Sequence, residues 1–262
     1  MQVYYYPIGS MVEHMTHSAP MLTRLSKEKL NEKIVSRIKE LIFANELQVG
    51  HKLPSERELM EQTGVSRAVV REALRSLEQS GLVEVRQGAT GGAFVISDLA
   101  KPIFNSAYDL YGQGKLTLAH FVEVRKAIEC VSVRAAVEKA SPGDIARLRD
   151  LNEAYLKEIE DNLKHREYAE TFHVTVAEVS GNHLSKLLVG ALFRLLDALR
   201  PNSVQAKKFK HDTYMLHRKI IEAIEQKDAD LCECLVAKDI ERTGMLERSR
   251  IRYAEAKAGP SG

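Results

Sequence analysis

Apolar positions recur along this chain at two different periods, and the change of period divides it. Between residues 28 and 44, Leu30, Ile34, Ile38, Leu41 and Ile42 follow the i, i+4, i+8, i+11, i+12 spacing of one helix face. Gln48-Val-Gly50 ends that unit. In Leu53-Pro-Ser55-Glu-Arg-Glu58 the serine and the glutamate three residues on form a capping box, so a short helix starts there and Gly64 stops it. Ser66 is placed to cap a further helix over about 67–79, which Gly81 ends. Two short capped helices joined through Thr63-Gly64-Val65 make a helix-turn-helix. The period then drops to two. Leu82-Val-Glu-Val-Arg86 and Ala93-Phe-Val-Ile96 alternate as strands around the Gly-rich tip Gln87-Gly-Ala-Thr-Gly-Gly92, which makes the motif a winged one. Residues 99–116 hold Pro102, Gly112 and Gly114 with little periodicity, and read as a linker that has room for a short helix over 103–111. From 117 onward the pattern is helical, in about six segments near 117–139, 143–163, 165–179, 183–199, 204–226 and 229–249. Short connections between them predict an antiparallel bundle. The expected fold is mainly α. A winged helix-turn-helix over 25–98 and a helical domain over 117–250 lie between a disordered leader, 1–24, and a flexible tail, 251–262.

Composition narrows the classes. The chain has 262 residues, 44% of them hydrophobic, enough for a buried core. Its 38 basic and 36 acidic residues leave a net charge of +2, too even for a histone-like polycation or a charged tail. A compact reader of nucleic acid with a local basic edge remains open. No run approaches the ~18 consecutive apolar residues of a membrane span, and the N-terminus lacks the basic start and apolar run of a secretory signal. Met11, Met15 and Met21 are alternative starts. Three cysteines cannot all pair, and Cys232 and Cys234 lie about 200° apart around a helix, so they cannot share a ligand. All three are expected as reduced, mostly buried thiols in a cytoplasmic protein without membrane attachment.

On the helix over 67–79, Val70, Ala73, Leu74 and Leu77 make the buried stripe, and Arg67, Arg71 and Arg75 recur every four residues beside it. An arginine fork matches the N7 and O6 acceptors of guanine, and the free amides of a helix start favour phosphate. A solvated arginine face with i, i+4 pairs is the bland alternative. The order of elements decides between them. Leu53-Pro-Ser-Glu-Arg57-Glu-Leu59, Gly64-Val-Ser-Arg67-Ala-Val-Val-Arg71-Glu-Ala-Leu74, Leu77-Glu, Gly81-Leu82 and the Gly-rich wing resemble the GntR superfamily of bacterial transcription regulators over about residues 28–96. The resemblance implies that Arg57 contacts DNA from the first helix of the motif. It places Ser66, Arg67, Ala68 and Arg71 on the recognition helix, and sends Gln87 and Gly88 from the wing tip to the minor groove. This wing departs from the usual continuous glycine run, reading Gly88-Ala-Thr-Gly-Gly-Ala-Phe94. Residues 51–90 carry six basic side chains (Lys52, Arg57, Arg67, Arg71, Arg75, Arg86) and six acidic ones (Glu56, Glu58, Glu61, Glu72, Glu78, Glu84). Affinity must therefore come from placement, and a homodimer on two half-sites of a palindromic operator is the natural arrangement.

In the second half, His173, His217 and Asp239 interrupt apolar faces. Burial of such groups is costly unless they are paired, and converging imidazoles and a carboxylate offer N and O ligands to a divalent metal. A satisfied core hydrogen bond is the competing reading for any single histidine. Phe121-Val-Glu-Val-Arg125-Lys-Ala-Ile-Glu129, Phe172-His173 with Ser180-Gly-Asn182, and His217-Arg-Lys-Ile-Ile-Glu-Ala-Ile224 with Asp228 resemble the effector domain of the FadR subfamily, over about 117–245. Many members hold a metal with one aspartate and three histidines, the aspartate four residues before the first histidine. Here His173 and His217 match, Ala169 stands where the aspartate belongs, and Asp239, 22 residues after His217, stands where the third histidine belongs. Glu170 neighbours the vacancy but points about 100° away. The altered set is His173, His217 and Asp239, suited to zinc, nickel or manganese, with water or an effector carboxylate in the open positions. The resemblance also places Arg125 near the cavity, where it could grip an effector carboxylate. Its alternative is a salt bridge to Glu129 at i+4. His165, His183 and His211 are expected at the surface.

The expected function is a ligand-responsive transcriptional regulator, a repressor by the commonest pattern of the family, that binds double-stranded operator DNA and senses a small organic acid. Two alternatives carry their own signatures: a metal-free sensor of acyl-CoA or another carboxylate, and a metal-dependent enzyme fused to a DNA-binding domain. Against the enzyme, no separate general base or nucleophile stands near the three ligands.

Overall fold

The computed structural model describes residues 26–88, 90–161, 167–199 and 207–258. Among them, ten helices and one hairpin follow in the order α1 (Ser26–Phe43), α2 (Glu56–Thr63), α3 (Arg67–Gln79), β1 (Val83–Arg86), β2 (Gly92–Val95), α4 (Ala100–Gly112), α5 (Leu118–Lys139), α6 (Pro142–Glu160), α7 (Glu167–Val179), α8 (His183–Ala198), α9 (Lys207–Glu225) and α10 (Ala229–Ala258). The chain is mainly α, with a winged helix-turn-helix first and a helical domain after it.

Local signals set most boundaries. Ser55 and Glu58 form the capping box at the start of α2, and Gly64 closes that helix in the left-handed conformation. Ser141 and Asp144 form a second capping box, with Pro142 in the first turn of α6, and Asn182 caps α8 through Leu184 and Ser185. Ser66 occupies the N-cap position of α3, but its hydroxyl makes no capping bond; the backbone carbonyl of Ser66 receives Val69 and Val70 instead. Gly81 turns the chain from α3 into β1 at φ +71°, and a Cβ there would come within 1.9 Å of the Asp98 carbonyl. Only glycine lets the end of the wing fold back so closely.

β1 and β2 pair antiparallel in the register Val83↔Val95, Glu84↔Phe94, Val85↔Ala93, Arg86↔Gly92. Val83, Ala93 and Val95 point inward and meet Val70, Ala73, Leu74 and Leu77 of α3, with Ile34 and Ile38 of α1, in one core. Leu30 of the expected α1 face is instead 41% exposed, one turn before Ile34, the first α1 residue in this core. The second half has separate cores. One joins α5, α6, α7, α9 and α10 around Val133, Leu148, Phe172, Ile220 and Val236, and another joins α5, α7 and α8 around Phe121, Ala177, Val189 and Leu195.

Three expectations need correction. The segment expected as a linker holds a helix of 13 residues, α4, which packs on α8 through Phe104 and Ala107. It therefore belongs to the helical domain, which has seven helices among the described residues rather than six. Pro102 sits in its first turn, where the missing N–H costs nothing. The expected tail is helical as far as Ala258, continuing α10. Cys130 and Cys232 are buried thiols, but Cys234 is exposed, being two residues from Cys232 on the same helix. The leader 1–24, His165 and residues 259–262 lie outside the described residues.

Candidate functional site

The first candidate surface is the outward side of α3 with the start of α2 and the wing tip. Burial of Val70, Ala73, Leu74 and Leu77 fixes the rotation of α3 and turns Ser66, Arg67, Ala68, Arg71 and Arg75 to solvent. Arg67 and Arg71 do not pair along their own helix. Their Nε atoms lie 3.3 and 3.7 Å from the Glu56 carboxylate at the start of α2. Arg57 pairs with Glu61 at 3.2 Å. All three arginines are more than half exposed, so water screens these contacts and a phosphate or base edge can displace them. Gln87 and Gly88 are exposed at the wing tip. Ala89, between Gly88 and Thr90, lies outside the described residues.

The second candidate site is buried where α5, α7, α9 and α10 meet. His173 on α7, His217 on α9 and Asp239 on α10 each offer a ligand atom, and these atoms lie within 4.8 Å of one another. His173 Nε2 is 3.2 Å from Asp239 Oδ2, and His217 Nε2 is 3.8 Å from the same oxygen, beyond hydrogen-bond length. Both nitrogens of His217 and Oδ1 of Asp239 are buried without a hydrogen-bond partner. Phe172 stacks on the His217 ring at 4.0 Å and holds its orientation.

Arg125 and Glu129 of α5 complete the cluster. Arg125 Nε donates to Glu129 Oε1, and the guanidinium lies 4.2 Å from the Phe193 ring of α8. The i+4 salt bridge weighed for Arg125 is thus present, and Arg125 also lines the cavity. The spacing alone did not reveal what Glu129 does with its other oxygen. His173 Nδ1 is 2.7 Å from Glu129 Oε2, so Glu129 orients the imidazole and aims Nε2 at Asp239. A charged residue on the buried face of α5, eight positions after Phe121, is the sequence signal that could have found it.

Electrostatics follow from this geometry. Burial pushes the Glu129 carboxyl up, but Arg125 and His173 outweigh it and hold it below the usual range. Burial pushes His173 down, yet Glu129 and Asp239 raise it above its ordinary value. For His217 burial prevails over Asp239, and its value falls. Asp239 is held well below the usual range by the two histidines, against burial. These shifts favour ionised carboxyls at Glu129 and Asp239, and they favour the proton on His173 more than on His217.

A cavity of about 50 Å³ adjoins the cluster, lined by Arg125, Ala169, His173, Phe193, Thr213 and Asp239 among others. Ala169 stands at its wall, and the cavity has room for a few waters or a small polar group. Glu170 is not among the lining residues. His183 and His211 are exposed, as expected.

An arginine-bearing helix of a winged motif and a polar core in a helical domain define a DNA-binding transcriptional regulator with a sensor half. The comparisons agree. Residues 30–95 match the family described as bacterial regulatory proteins, gntR family, and residues 120–242 match the FCD domain. The chain is 33% identical over 217 residues to the HTH-type transcriptional repressor NanR of Citrobacter rodentium (strain ICC168), covering 80% of this chain and 82% of that one. It is 34% identical over 214 residues to the protein of the same name from Salmonella newport (strain SL254), covering 79% and 80%. Among solved structures, Streptococcus agalactiae GntR superposes with a TM-score of 0.62 at 25% identity, covering 82% of this chain and 99% of that one. The chain belongs to the GntR family, and its second half is an FCD domain. The enzyme alternative falls with that assignment. Among the described residues, no helix is long and apolar enough to cross a membrane.

Proposed function

We propose that this chain is a cytoplasmic repressor that binds a palindromic operator as a homodimer and is released by a small organic acid, sensed through a divalent metal. His173 Nε2, His217 Nε2 and an Asp239 oxygen would hold the metal, and Arg125 would receive the acid's carboxylate. The carrying observation is the convergence of these three ligand atoms with His217 and Asp239 Oδ1 lacking hydrogen-bond partners. A borderline cation such as zinc, nickel or manganese suits two imidazoles and a carboxylate, and the gap at Ala169 leaves a coordination position for water or effector oxygen. The repressor role follows the names of the relatives. A homodimer finds support in α5, where Val124 and Val131, one heptad apart, are 48% and 64% exposed beside Ala127 and Ile128.

One observation favours a second reading. His173 already engages Glu129 and Asp239 through its two ring nitrogens, a closed network that stands without metal. Arg125 would then bind an effector carboxylate directly. An acyl chain does not suit a cavity of about 50 Å³.

Elemental analysis of protein purified without chelator tests the metal. About one divalent ion per chain, lost in His217→Ala, is expected, and its absence from wild type would overturn the metal reading. A thermal-shift screen of carboxylic acids, with and without chelator, then separates the two readings. Shifts that vanish with chelator support the metal, and shifts that persist support the second reading.

A further inference from the structure

The outward face of the wing carries a second feature. Side chains alternate across the hairpin, so Val83, Ala93 and Val95 face the core while Glu84, Arg86 and Phe94 face out. A third segment extends this face. Leu53 donates its N–H to the Ala93 carbonyl at 2.8 Å, Val95 donates to His51 at 2.8 Å, and Lys52 pairs opposite Phe94. Lys52 Nζ lies 5.7 Å from the centre of the Phe94 ring, and Arg86 Cζ lies 4.5 Å from it. Two cations from separate segments are thus gathered around one aromatic ring.

Gly92 makes this arrangement fit. A Cβ at Gly92 would come within 2.5 Å of Lys52 Cε, so the lysine stem follows this path over a bare position and would have to shift if a side chain stood there. Its φ of +141° independently favours glycine, because L side chains rarely adopt that backbone conformation. The wing core closes without either charge. Holding two like charges around one ring raises the energy of the free protein, and an anion set between them offsets that. Stacking on Phe94 also removes freedom that the side chains would otherwise lose on binding. Glu84 supplies a carboxylate 2.7 Å from Arg86 Nε, and a stronger anion can displace this exposed partner.

We propose that Lys52 and Arg86, gathered by Phe94 and given room by Gly92, clamp one backbone phosphate of the DNA. This rests on the DNA-binding role of the winged domain and adds a contact to it. A phosphate clamp fixes the position of the wing and carries no sequence preference.

The test uses the full chain and fluorescence anisotropy across a salt series, with two labelled duplexes. One is selected by the wild-type protein from a random pool; the other is its scrambled sequence. Lys52→Gln and Arg86→Gln are each expected to weaken both duplexes by the same factor. Each also lowers the slope of log Kd against log salt by about 0.9. Glu84→Gln, which frees Arg86, tightens binding to both. Unchanged slopes in both glutamine variants, or losses confined to the selected duplex, would overturn the clamp. Arg67→Ala is the separate arm for the recognition helix and is expected to weaken the selected duplex more than the scrambled one. If it does so while Lys52→Gln and Arg86→Gln bind normally, the reader stands and the clamp falls. Circular dichroism melts confirm that each variant is folded.

Discussion

From Arg37–Glu40 to Arg86–Glu84, the ion pairs within the winged half have both partners at least 38% exposed. In the helical half, Arg125, Glu129, His173 and Asp239 exchange their contacts at 5% exposure or less. The same residue types thus serve opposite ends. In water each pair contributes about 0–1 kcal/mol, so the charges are free to change partners. Out of water, each charge depends on its neighbour, because losing one partner strands the other. The winged half keeps its charges exchangeable, while the buried cluster of the helical half keeps them committed to one another.

The largest expected effect tests that contrast with one chemical change in two places. Glu129→Ala leaves Arg125 and His173 without their shared carboxylate and is expected to cost about 3–5 kcal/mol. Glu56→Ala removes the carboxylate shared by Arg67 and Arg71 and is expected to change stability by less than about 0.5 kcal/mol. Urea denaturation of both variants measures this. Similar losses at the two sites would remove the distinction between committed and exchangeable charge.

Next in size is DNA binding. Arg67→Ala and Arg71→Ala are each expected to remove operator binding in a gel shift, through the loss of about 1–3 kcal/mol at each contact, repeated in each half-site. Their melting curves should match wild type, since both side chains are more than half exposed. A variant that binds normally would move the recognition surface off α3.

Much of the reader was legible because its determinants are local. Ser55 and Glu58 are three residues apart, Val70, Ala73, Leu74 and Leu77 lie within two turns, and Gly64 and Gly81 mark the stops. The sensor was legible residue by residue but not as an arrangement. His173, His217 and Asp239 stood out by breaking apolar faces, yet their convergence is set by the packing of three helices. Glu129 is instructive. Its spacing from Arg125 predicted one bond, and the second, to His173, spans two helices. The α4 helix was read too short, over 103–111 within a linker, for a related reason. Pro102 and Gly112 lie at its ends and look like breaks, and what holds it is Phe104 and Ala107 against α8, a contact no local pattern shows.

A smaller effect concerns the join between the halves. Arg194 Nη1 lies 2.5 Å from Oδ1 of Asp98, just after the wing, while the preceding residue, Phe193, lines the cavity beside the cluster. One turn of α8 therefore touches both the sensor core and the end of the reader. The pair is part-exposed, and Arg194→Ala is expected to cost about 0.5–1 kcal/mol. The loss should appear as faster hydrogen exchange at residues 96–100 and in α8, with the recognition helix unchanged. Uniform acceleration across the chain would mean that the pair supports global stability rather than this join.

The smallest effect probes the seam between α5 and α10. Cys130 faces the Glu233 carbonyl across that seam, and Cys232 faces the Ile220 carbonyl of α9. Burial first, then Glu233, pushes the Cys130 thiol up to about 11, and burial with Asp228 pushes Cys232 up to about 12. At pH 8 the reactive thiolate is then about one part in a thousand at Cys130 and about one in ten thousand at Cys232. A thiol reagent such as DTNB should label exposed Cys234 at once, and the other two only as fast as the helical half opens in urea. Because each raised value favours the protonated thiol in the folded state, stability drawn from these groups declines only as the pH climbs past about 9. Rapid labelling of Cys130 in the absence of urea would show that α10 lifts from α5 locally. Asp239 rides on α10, so the sensor's carboxylate would then be as exchangeable as the arginines of the reader.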